Sequence, residues 1–329
     1  MNDYLYDSAR VRSLENALIG RERIEQLLAT KSMEEMILRL NEMGVSSVTD
    51  AEGRFLREET LLQILRKAYA ELSESIGSND ELRLWLYPYD CNNVKAAIKC
   101  FFRKIDPRSM MFDFGTIGVG EVIRMVEEGS FEALPTAMRE AAAQAMASYA
   151  KQRDPQRIDL LLDRACYTDM LAAAKKAPFA TDVVTMKIDL TNLLTLVRIL
   201  RMRSGEAGRM LLCDALRGGG MLAPQGLLAL YDKGEEAVWQ MLMHHERYEK
   251  FAQNVTATEG SLTDVERCID NFLMERVREA KWISAGPEVL IGFLLAHEYD
   301  VKNLRILFAS KQAGLPIQTI RERIRESYV

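Results

Sequence analysis

Tyr299-Asp300-Val301-Lys302-Asn303-Leu304-Arg305-Ile306-Leu307-Phe308 reads as one piece of helix, with Leu304, Leu307 and Phe308 at three- and four-residue spacing behind an Asp-x-x-Asn start. The same start occurs twice upstream. It opens Asp90-Cys91-Asn92-Asn93-Val94-Lys95-Ala96-Ala97-Ile98, after Tyr89, and Asp189-Leu190-Thr191-Asn192-Leu193-Leu194-Thr195-Leu196-Val197, after Ile188. Asp90, Asp189 and Asp300 recur at intervals of 99 and 111 residues, a period too long for a helix pair and suited to tandem domains. A second set of equivalent segments lies upstream of each: Ala17-Leu18-Ile19-Gly20, Thr116-Ile117-Gly118 and Met221-Leu222-Ala223-Pro224. Two registers agree on a period near a hundred residues. Three homologous helical domains are therefore expected, over 1–114, 115–215 and 216–329.

Outward from these segments the helical period persists. Leu61, Ile64, Leu65, Ala68 and Leu72 form one stripe, and Ile158, Leu161, Leu162 and Ala165 another. Alternating strand-like runs are scarce, so an all-α fold is predicted. Breaks fall at Gly115 to Gly120, Gly205 to Gly208 and Gly218-Gly219-Gly220.

At 329 residues, 48% hydrophobic and 28% charged, the chain can build two or three cores and has no composition for extensive disorder. Its longest apolar run, Val289 to Ala296, is far short of the roughly 20 residues that span a bilayer. Met1-Asn2-Asp3-Tyr4 lacks the order of a secretory signal, which points to the cytosol. A net charge of −5 speaks against general nucleic-acid binding and favours protein partners. Cys91, Cys100, Cys166, Cys213 and Cys268 show no CxxC spacing and are expected as reduced, buried thiols.

Placed before an apolar stripe, each Asp reads as a helix N-cap. Its carboxylate would accept first-turn N–H groups and oppose the helix dipole, worth about 1 kcal/mol. Asn93, Asn192 and Asn303 take the place of the Glu or Gln in a capping box. These six are read as structural, since three equivalent carboxylates in three domains suit no single acid–base pair. The helices they open carry Lys95, Lys99, Arg103 and Lys104, then Arg198, Arg201 and Arg203, then Lys302, Arg305 and Lys311. Such runs are ordinary on solvated faces. Around a common pseudo-threefold axis they would also attract an acidic or helix-tip partner.

Chemical motifs are missing. No phosphate-binding Gly-x-x-x-x-Gly-Lys-[Ser/Thr] occurs, and Gly115-x-x-Gly118-x-Gly120 lacks the dinucleotide spacing. His244 and His245 point to different helix faces, and with His297 they read as surface or packing residues. The 17 methionines fit gap-filling core. No catalytic residue, cofactor or metal is assigned.

Taken in order and spacing, Tyr4-x-Tyr6-x-x-Ala9-Arg10-Val11-Arg12, the three Asp-x-x-Asn starts and the closing Ile291-Gly292-Phe293-Leu294-Leu295-Ala296-His297-Glu298-Tyr299-Asp300-Val301-Lys302-Asn303-Leu304-Arg305 resemble the C subunit of V/A-type ATPases, called the d subunit in vacuolar enzymes. Ile188 replaces the tyrosine of the other two repeats, and Thr191 and Leu194 stand where the third has Lys302 and Arg305. The resemblance implies a funnel of three similar domains and a non-enzymatic, peripheral subunit on the cytoplasmic face of the membrane. It would couple the central-stalk subunits D and F to the membrane rotor ring of proteolipid subunits, for proton or sodium transport. Lys99, Arg103, Arg198, Arg201 and Arg305 are then the candidates for stalk contact. A helical-repeat scaffold for unrelated partners and a magnesium-dependent helical enzyme are the competing readings.

Overall fold

The computed structural model describes residues 4–258 and 260–329; the Met1–Asp3 start weighed above lies outside them. The protein is all-α. Among the described residues the nearest thing to a strand is an isolated bridge between Thr49 and Phe55. No described helix is long and apolar enough to cross a membrane.

Two compact units divide the chain. One is continuous, Asn79–Met241, and contains the Asp90 and Asp189 helices. The other joins residues from both ends, drawn from 1–78 and 242–329, and contains the Asp300 helix.

Within the continuous unit, helix Pro155–Ala174 packs against Thr136–Gln152, Tyr87–Arg103 and Pro178–Met202. Small residues set the first of these contacts: Ala141, Ala142 and Ala145 are buried and let the two backbones approach. A tight reversal joins the pair. Arg153 adopts the left-handed conformation (φ 54°), Asp154 accepts from Gln156 N–H, and Pro155 occupies the first helical position. Helix Pro178–Met202 buries residues on every face, as its continuous apolar composition requires.

In the discontinuous unit the corresponding element is Pro287–Gln312, where Val289 through Ala296 are all buried. It packs along Arg57–Glu71, covering the Leu61, Leu65 and Ala68 stripe. Phe55 adds a tilted ring contact to Phe308 at 5.3 Å. Gly292 sits in mid-helix, where glycine costs about 1 kcal/mol relative to alanine. A Cβ there would press on Ala280 Cβ at 2.9 Å and Tyr328 Oη at 3.0 Å, so close packing outweighs propensity.

Four of the five cysteines are buried as expected, but Cys213 is exposed on the short amphipathic helix Gly205–Ala215. Phe101, close to the apolar stripe of the first repeat, is also largely exposed.

Candidate functional site

All six residues of the Asp-x-x-Asn elements are buried, none more than 2% exposed. They are not N-caps. Asp90 lies inside helix Tyr87–Arg103, and Asp189 and Asp300 lie near the middle of Pro178–Met202 and Pro287–Gln312. The helices start earlier, at Tyr87, Pro178 and Pro287, each with a proline in its first two positions (Pro88, Pro178, Pro287), whose fixed φ and missing N–H suit the first turn.

The carboxylates meet backbone from elsewhere. Asp90 accepts from Thr116 N (2.9 Å), Thr116 Oγ1 (2.6 Å) and Ile117 N (3.2 Å). Asp189 accepts from Met221 N and Leu222 N, both at 2.9 Å. Asp300 accepts from Ile19 N at 2.8 Å. These donors lie in the second set of repeated segments, just ahead of the helices starting at Val119, Pro224 and Arg21. Each aspartate therefore holds the approach to another helix.

The asparagines make a second, reciprocal clamp. Asn93 donates to Phe112 C=O (2.8 Å) and accepts from Phe112 N–H (2.7 Å). Asn192 does the same with Arg217, at 2.8 and 2.9 Å. With both edges of the amide used, a buried side chain replaces a rung of backbone pairing. The third pair, Asn303 with Arg325, follows the same pattern.

A third repeat feature closes the helices. Lys104, Arg203 and Gly314, each fourteen positions after its aspartate, all have positive φ (57°, 50° and 67°). After two of them a longer bond seals the end, Ile105 N to Cys100 O and Leu315 N to Ser310 O, both 3.1 Å.

Burial raises the Asp90 carboxyl to about 6, although Thr116 and Ile117 donate to it. Burial also lifts Asp300 well above the usual carboxylate range, against the Ile19 N–H and the charge of Arg23. Such groups are anchors in apolar surroundings.

The basic candidates divide. Lys99 pairs with Asp159 at 2.5 Å, beside a parallel Lys95–Asp163 pair at 2.7 Å. Arg201 forms a two-pronged pair with Glu235, at 2.9 and 2.5 Å. Arg305 pairs with Glu58 at 3.0 Å. Arg103 and Arg198 are exposed. Within the continuous unit, Pro155–Ala174 packs against both the helix carrying Lys99 and Arg103 and the helix carrying Arg198 and Arg201.

Two anchoring carboxylates escaped the sequence reading. Asp169 accepts from Ala137 N and Met138 N, capping Thr136–Gln152 from another helix. Asp270 binds the buried Arg325 at 3.0 Å and Lys302 at 2.6 Å. Their partners lie about thirty to fifty-five residues away in sequence, beyond any local signal.

A helical chain with this thrice-repeated anchor, compared with known proteins, matches the model of the ATP synthase (C/AC39) subunit family over residues 8–323. The chain belongs to that family. Among curated relatives, the C subunit of the V-type sodium ATPase of Enterococcus hirae is 24% identical over 324 residues, covering 97% of each chain. The C subunits of the A-type ATP synthases of Thermococcus kodakarensis and Methanosarcina barkeri are each 23% identical, covering 98% of this chain and 90% and 93% of their own.

Proposed function

We propose that the protein is a non-catalytic coupling subunit of a rotary V/A-type ATPase, seated between the central-stalk subunits D and F and the membrane rotor ring on the cytoplasmic face. The match over residues 8–323, with relatives that cover nearly the whole chain and are named as C subunits, carries this reading. Three related helical modules, with boundaries near residues 114 and 215, are part of the proposal; the recurrence of the Asp clamp, the Asn clamp and the left-handed helix end supports them. A part that transmits torque must be stiff, and buried clamps that tie each repeated helix to distant backbone supply stiffness.

Arg103, Arg198 and Arg305 are the foremost stalk contacts in this proposal, because their side chains are exposed. Lys99 and Arg201, less exposed, would join by extending ion pairs they already make, as Arg305 would with Glu58. Half-exposed pairs of this kind are worth about 1 kcal/mol or less, so an acidic partner can recruit them.

Size-exclusion chromatography of the purified chain with subunits D and F at micromolar concentration tests the proposal. Co-elution is expected, with no ATP turnover by the isolated chain, and Arg103→Glu should weaken the complex while leaving the melting temperature unchanged. Separate elution at low salt overturns the reading.

A further inference from the structure

The third aspartate differs from the other two. Asp90 and Asp189 are each met by two successive backbone N–H groups, whereas among the described residues Asp300 receives only that of Ile19. In the first two repeats one stretch serves both clamps, Phe112 to Ile117 and Arg217 to Leu222. In the third, the Asn303 clamp takes Arg325 while the Asp300 clamp takes Ile19 from a separate segment, whose preceding N–H, on Leu18, bonds to Glu15 C=O instead. Asp300 thereby keeps hydrogen-bonding capacity in reserve, and it faces a cavity of about 340 Å³.

One helical turn before it, His297 lines the same cavity. Its Nδ1 is fully buried and has no hydrogen-bond partner among the described residues. The ring stands edge-on to Phe293 at 4.6 Å. Burial, with the charge of Lys67 added, lowers the imidazole to about 4, so it is neutral at physiological pH. Leu14, Ile19, Val45, Ile64 and Phe293 supply apolar wall. At the exposed side lies Lys67, which makes no ion pair among the described residues; Glu71, one turn further, is paired with Arg10. Lys67 is the cation of the lining, and burial pushes the Asp300 carboxyl toward its neutral form. The volume is at the lower end of small-ligand sites, and an apolar chamber with a few convergent polar groups is their usual form.

We propose that this cavity binds a small amphipathic carboxylate bearing a second hydrogen-bonding group at its far end. The carboxylate pairs with Lys67 at the rim, the body lies along the apolar wall, and the far group bridges His297 and Asp300. A cationic ligand is disfavoured by Lys67, and a purely apolar one leaves the buried His297 nitrogen unpaired.

Calorimetric titration of the full-length protein with octanoate, 8-hydroxyoctanoate, methyl octanoate and octylamine tests this. Saturable binding of both carboxylates is expected, with the hydroxylated one about fivefold tighter, one net hydrogen bond. Lys67→Met, an exposed substitution that should leave folding intact, weakens both about threefold or more. His297→Phe abolishes the difference between them. The proposal is overturned by the absence of saturable carboxylate binding, by methyl octanoate or octylamine binding as tightly as octanoate, or by Lys67→Met leaving the affinities unchanged.

Discussion

Asn303 and Arg325 hold each other by two reciprocal bonds, Nδ2 donating to the Arg325 carbonyl at 3.0 Å and Oδ1 accepting from its N–H at 2.8 Å. Replacing Asn303 by leucine leaves a buried N–H and C=O without partners, at about 1–3 kcal/mol each. Asn303→Asp should be at least as harmful, because an acceptor then faces the carbonyl. Urea denaturation should show both variants losing about 2–5 kcal/mol, and the equivalent Asn93 and Asn192 variants falling in the same range. A loss under about 1 kcal/mol would show the clamps to be incidental.

Asp90 makes stability fall as pH rises. Its folded-state value, about 6, lies above the ordinary 3.8, so the folded protein holds this proton more tightly than the unfolded chain. The stabilisation is present at low pH and lost as pH climbs through about 6. Relative to Asp90→Asn, the wild type should lose roughly 2 kcal/mol between about pH 4.5 and 7.5, read from paired denaturation curves.

His297 acts in the opposite direction. Its folded-state value is depressed from 6.5 to about 4, so its contribution is full above 6.5 and is lost as pH falls toward 4. A His297→Phe variant should keep roughly 3 kcal/mol of stability that the wild type loses between about pH 7 and 4. Parallel acid limbs for the two proteins would contradict the buried, unpartnered assignment.

The left-handed helix ends give a pair of opposed substitutions. Lys104 and Arg203 adopt positive φ with a Cβ, whereas the third repeat uses Gly314 there. Lys104→Gly should raise stability slightly, by up to about 1 kcal/mol at the midpoint, while Gly314→Ala lowers it by about 1 kcal/mol. Calorimetry on the two single variants resolves both signs.

Helical class was legible because it is written locally: Leu61, Leu65 and Ala68 recur at the helical period and all three are buried. The importance of Asp90, Asp189 and Asp300 was legible from recurrence, but their partners were not. A carboxylate ahead of an apolar stripe looks like a cap, and nothing nearby in sequence says that its donors come from Thr116, Met221 or Ile19. The prolines at 88, 178 and 287 were the better start signals. Likewise, the basic runs gave no sign that Arg201 meets Glu235 or that Arg305 meets Glu58, 247 residues away. His297 was placed among surface or packing residues, since a cavity arises only when segments from both ends of the chain meet around it.

The Ile19–Asp300 contact spans 281 residues, and it imposes an order on biosynthesis. As the chain leaves the ribosome, the faces of Leu5–Leu14 and Arg57–Glu71 emerge long before the Pro287–Gln312 helix that covers them. The Asn79–Met241 segment forms a compact unit of its own and can complete its core in the meantime. Nascent chain thus carries an uncovered apolar surface on Leu5–Leu14 and Arg57–Glu71 until the Pro287–Gln312 segment has been synthesised, and that interval is when a holding chaperone would have most to protect.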